Sequence, residues 1–150
     1  DDFKLHANLY FPEVRLRNFV EIRNHDCVGK GLQYSILAIY KGILYNHTAI
    51  KDIEELFKDF EYSDFSELRY NVPKSALTAK IGKFFVKDIA KEILYIAEKS
   101  LIEMDNGEEK YLDAIKEYTL NDITPADVII RNWNGLWNKD IKKLINFVTE

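Results

Sequence analysis

The sequence has one cysteine, Cys27, in 150 residues. A lone thiol cannot close an intramolecular disulfide, which excludes a disulfide-stapled secreted scaffold and leads us to expect a reducing compartment, the cytoplasm. No apolar run approaches the length of a bilayer span, so a membrane partner is not expected. Basic residues number 21 against 25 acidic ones, a net charge of -4. A phosphate backbone needs a concentrated basic surface, so a nucleic-acid partner is not expected either. Glycine and proline are sparse, at six and three, and form no low-complexity linker. There is no internal repeat, no Gly-rich phosphate loop, no Cys-x-x-Cys and no His-Glu-x-x-His. The three histidines, His6, His25 and His47, lack metal-ligand spacing and read as surface or capping residues. Initiator Met is missing as well. The chain opens on Asp1-Asp2-Phe3 and enters a patterned segment almost at once, as expected of a piece of a longer protein.

What is present fits an ordinary folded domain: 47% hydrophobic and 31% charged residues, in a chain long enough for a real core. Phe3 to Tyr10 alternates apolar and polar and predicts a strand. Pro12, without an N–H, interrupts, and a second strand follows from Glu13 to Arg23. After Gly29 and Gly31 the period changes to that of helices. Leu32 to Tyr45 is apolar nearly all round and predicts a buried helix. Thr48 reads as the cap of a helix reaching Phe60, and Ser63 as the cap of a short one to Tyr70. Residues 71–79, with Pro73, read as irregular. A long helix is expected over Ile81–Met104 and an amphipathic one over Glu108–Leu120. Thr124-Pro125-Ala126-Asp127 is a helix start that combines an N-cap hydroxyl, a first-position proline and a first-turn acid. The last helix is expected to be capped by Asn138. Trp133 and Trp137 read as packing residues. The expected class is α+β, mostly helical: an antiparallel strand pair (about 3–10 and 13–23) followed by about six helices. Residues 1–28 would supply strands and 29–150 a helical region of one unit.

The segment Glu13-Val-Arg-Leu-Arg-Asn-Phe-Val-Glu-Ile-Arg23 concentrates the chemistry. Alternation places Val14, Leu16, Val20 and Ile22 on one face. Glu13, Arg15, Arg17, Glu21 and Arg23 fall on the other, with Phe19 among them. Same-face neighbours lie roughly 7 Å apart. At that spacing a carboxylate can hold a divalent cation while guanidinium groups grip the anion that the cation also touches. A solvated sheet face with charges paired across strands shows the same pattern, and the pattern alone does not separate the two.

The residues also resemble a family. Leu5-His6, then Phe11-Pro12-Glu13-Val14-Arg15-Leu16-Arg17, then Val20-Glu21-Ile22-Arg23 with Asp26, is similar to a stretch of the plant and bacterial type of glutamate–cysteine ligases. Arg69-Tyr70-Asn71-Val72-Pro73, Thr124-Pro125-Ala126 and Asn134-Gly135-x-Trp137 follow in the family's order. The likeness covers essentially the whole chain but only about the C-terminal third of the usual enzyme. One departure stands out: where the family often has Gly-Ala between the arginine and the aspartate, this chain has Asn24-His25.

The resemblance implies a glutamine synthetase-like catalytic fold. It also implies an ATP-dependent ligase that forms γ-glutamylcysteine through γ-glutamyl phosphate, the first step of glutathione biosynthesis. Mg2+ or Mn2+ would be the cofactor, with ATP, L-glutamate and L-cysteine as substrates and the missing N-terminal part of the chain as a partner. By the same resemblance Glu21 is expected to be a metal ligand and Arg23 to contact the phosphoryl group. Arg15 would assist there, and Arg17 and Glu13 would serve nucleotide or substrate binding. The 150 residues alone would be inactive. Another carboxylate–amine ligation on the same fold, or a non-catalytic helical interaction module, remain as alternatives.

Overall fold

The computed structural model describes residues 13–16, 18–26, 29 and 31–149. Strands β1 (Val14–Leu16) and β2 (Val20–Ile22) come first, followed by helices α1 (Leu32–Leu44), α2 (His47–Phe57) and α3 (Tyr62–Ser75). A 3-10 turn (Ala76–Thr78) leads to strands β3 (Lys80–Ile81) and β4 (Phe84–Phe85) and the long helix α4 (Val86–Met104). A second 3-10 turn (Glu109–Leu112) leads into α5 (Asp113–Leu120), α6 (Pro125–Asn134) and α7 (Ile141–Thr149). The strands form two separate antiparallel pairs. The α+β, mostly helical class therefore holds, with seven helices among the described residues.

The core lies where the apolar α1 crosses α4. Ala38, Leu94, Ala97, Leu101 and Leu112 form it, with Ile39, Ile43, Met104 and Ile115 packed around them. The two helices meet at Gly42. A Cβ built there would stand 2.6 Å from the carbonyl oxygen of Ala97, so only a residue without a side chain permits this approach. The Ser35 hydroxyl, fully buried on α1, donates to the carbonyl of Tyr111 at 2.6 Å and ties the second 3-10 turn to the core.

Local chemistry explains where elements begin. The Asn46 side chain accepts from the N–H groups of Thr48 and Ala49, at 2.8 and 3.3 Å, so α2 starts earlier than a Thr48 cap would allow. It also ends earlier, at Phe57. Helix α3 starts where the Asp64 carboxylate accepts the Glu61 N–H at 2.8 Å, and it runs through Pro73 to Ser75. Residues 71–75 are thus helical, not irregular. Pro73 falls in the last turn, where it removes one backbone bond instead of dividing the helix. Helix α4 begins at Val86, five residues later than expected, because Gly82, at φ 54°, turns residues 80–85 into a hairpin. The start of α6 is as the sequence predicts. The Thr124 hydroxyl accepts the Asp127 N–H at 3.2 Å, and the Asp127 carboxylate accepts the Thr124 N–H at 2.8 Å. At α7 the cap is Asp140, which accepts the Lys142 N–H at 2.9 Å. Asn138 sits in the left-handed region at φ 48° instead.

The largest departure is at the N-terminal end. Segment 13–23 is two strands, not one: Val14 pairs with Ile22, Arg15 with Glu21 and Leu16 with Val20. The antiparallel pair thus lies inside the stretch read as a single strand. The strand expected over 3–10 lies outside the described residues.

Candidate functional site

The β1–β2 hairpin gathers most of the candidate residues. Paired positions in an antiparallel ladder share a face, and the ladder extends one rung past β2, where the Arg23 N–H donates to the Glu13 carbonyl at 2.8 Å. Glu13, Arg15, Glu21 and Arg23 therefore stand on one face, in two opposed acid–base pairs. Within one pair, Arg15 Nε and Nη2 lie 2.9 and 2.8 Å from Glu21 Oε2. Arg17 lies outside the described residues.

Exposure is the reverse of the usual arrangement for a sheet. On the charged face Arg15 and Glu21 are partly covered, their side chains 13% and 31% exposed, while Glu13 at the edge stays open at 52%. The apolar face is open, with Val14, Leu16 and Val20 at 55%, 82% and 61% exposure. Covering charge costs free energy unless it is paired, and the Arg15–Glu21 ion pair meets that requirement.

Two links reach the hairpin from the helices. Arg69 on α3 forms an ion pair with Glu13 across 56 positions of sequence, adding a third arginine to the edge of the charged face. The Tyr40 hydroxyl on α1 donates to Asn24 Oδ1 at 3.0 Å. Burial raises the Tyr40 phenol above its ordinary pKa, so it stays protonated, a donor, at neutral pH. Spacing along the sequence identifies neither contact. Arg69 is marked only by lying in the segment 69–73 singled out above by resemblance.

Chemically, the face presents carboxylate oxygens beside guanidinium groups, the donor set that suits a hard cation and a phosphoryl or carboxylate anion together. Among the described residues no three His, Cys, Asp or Glu side chains converge to hold a metal ion. Glu21 can supply one ligand of such a centre but these residues do not complete it. A cavity of about 560 Å³ lies away from the hairpin between α2 and α4, lined by Asp52, Glu55, Asp88 and Glu92 with Phe84 and Tyr95. Among the described residues no guanidinium lines it.

The model of glutamate-cysteine ligase family 2 (GCS2) matches residues 1–146. The chain belongs to that family. Among similar proteins are the chloroplastic glutamate–cysteine ligases of Arabidopsis thaliana, Brassica juncea and Nicotiana tabacum. They are 27%, 26% and 25% identical to it over 94% of this chain. The chain spans 27% of the length of each. Their names correct one expectation. These relatives are named chloroplastic, which contradicts the expectation of the cytoplasm. A cysteine count reports on disulfide use and cannot tell one reducing compartment from another.

Proposed function

We propose that these 150 residues are one part of the catalytic domain of a larger ATP-dependent glutamate–cysteine ligase, with the β1–β2 hairpin as their contribution to its active site. The observation that carries this reading is the shared, partly covered face of Arg15, Glu21 and Arg23 in a chain of the glutamate-cysteine ligase family. In this reading the γ-carboxylate of glutamate takes the terminal phosphoryl group of ATP, and the amine of cysteine then displaces phosphate. Such chemistry depends on positioning and on neutralising charge. Arg23 neutralises the phosphoryl group in transfer. Arg15 holds the Glu21 carboxylate in a fixed orientation. Glu21 is one oxygen ligand of a magnesium or manganese ion, which supplies further neutralisation when bound; its other ligands come from outside the described residues. Arg17 and Glu13 serve substrate or nucleotide binding.

The reading is tested by phosphate release from ATP in the full-length protein, with each substrate omitted in turn. Release that requires both glutamate and cysteine supports it, and release that requires neither overturns it. The 150 residues alone are expected to release none. A panel of amines in place of cysteine addresses a second reading, in which Asn24-His25 tunes the same ligation to a different amine.

A further inference from the structure

Asn24 and His25 follow directly on the charged pair of β2, and both contact one residue. The Tyr40 hydroxyl donates to Asn24 Oδ1 at 3.0 Å, and the Tyr40 and His25 rings lie 5.9 Å apart at 52°. Tyr40 stands on α1 between Ala38, which is buried in the core, and Gly42, which is locked against Ala97. It therefore has a rigid base. Its ring and that of His25 also close one side of an apolar cavity of about 330 Å³ with Ile36, Ile39 and Ile43. The last rung of the hairpin, Arg23 N–H to Glu13 carbonyl, is one residue from the Asn24 contact. Arg69 reaches the Glu13 side of that rung and Tyr40 the Asn24 side, and ladder ends are where local opening starts.

We propose that Tyr40 is a positioning residue: through Asn24 and His25 it holds the end of β2, and so keeps Glu21 and Arg23 in register with Glu13 and Arg15. The proposal rests on the ligase reading for its effect on turnover but not for its effect on the strand.

The test uses the full-length protein with Tyr40→Phe, which keeps the ring and removes the hydroxyl. Two quantities are read: steady-state kinetics, and hydrogen exchange at the Arg23 amide. The expected result is a kcat lower by about threefold or more, the size of one neutral hydrogen bond, with KM values unchanged. Exchange at Arg23 is faster, while amides in α1 and α4 keep wild-type protection. Asn24→Ala, which removes the acceptor of the Tyr40 hydroxyl, is expected to speed exchange at Arg23 as Tyr40→Phe does. Wild-type protection at Arg23 in Tyr40→Phe overturns the proposal, as does faster exchange with unchanged kcat, or loss of protection spread through α1 and α4. Glu21→Gln is assayed alongside. If that variant turns over normally the ligase reading falls, and exchange at Arg23 alone then decides whether Tyr40 holds the strand.

Discussion

Arg15 and Glu21 face each other across the hairpin, and two nitrogens of the arginine converge on a single carboxylate oxygen, Oε2, at 2.9 and 2.8 Å. A guanidinium can do this because its donors are held in one plane; an ammonium is a point charge on a flexible stem. Arg15→Lys keeps the charge and loses the fork. In the full-length protein this change is expected to lower kcat by about tenfold, the weight of one charge-assisted bond. Steady-state kinetics beside a thermal melt check it. Stability is expected to drop by about 1 kcal/mol at most, because Glu21 keeps part of its side chain in solvent.

The close crossing of α1 and α4 gives a second prediction. Gly42→Ala places a methyl where the Ala97 carbonyl oxygen already stands. The backbones must part, and overpacking of this kind costs about 1–3 kcal/mol. Denaturant unfolding measures it. Because α1 carries Tyr40, the hairpin end is expected to loosen as well, seen as faster exchange at the Arg23 amide.

A third prediction concerns acid. The Thr124 hydroxyl and N–H hold the Asp127 carboxyl below the ordinary aspartate range, and Lys87 and Lys91 do the same at Asp122. Both folded-state pKa values are depressed. The stabilisation is therefore complete above the unfolded value of about 3.9 and is lost as pH falls through the lower folded values. Asp127→Ala is expected to melt below the wild type at neutral pH, because it removes the carboxylate half of the capping box while Thr124 stays. That gap is expected to close once the pH is below both values. A gap that stays constant down to pH 2 would contradict it.

Much of this architecture was legible in the sequence, and the parts that were not have specific causes. Alternation along 13–23 sorted the residues onto the right faces yet missed the reversal between Leu16 and Val20. Partners in this hairpin pair even with even and odd with odd, as Val14 with Ile22 and Arg15 with Glu21. The two faces therefore read the same in one long strand as in a hairpin with this register. The helix starts at His47 and Ile141 were misplaced because Asn46 and Asp140 reach N–H groups two residues ahead, which composition near Thr48 or Asn138 does not reveal. Gly82 was read as part of a helix, since its φ of 54° is set by the β3–β4 pairing and not by its neighbours in sequence. At the site, the Glu13–Arg69 and Asn24–Tyr40 contacts join elements far apart in the chain, and no local periodicity encodes them.

The most direct measurement is turnover of full-length Glu21→Gln, with folding followed by far-UV circular dichroism and thermal melting. The change keeps the shape and removes the charge that would hold a cation and receive Arg15. The account predicts loss of glutamate- and cysteine-dependent phosphate release by at least about a hundredfold, about 2.7 kcal/mol of barrier, in a protein that folds as the wild type does. Wild-type turnover in that variant would contradict it.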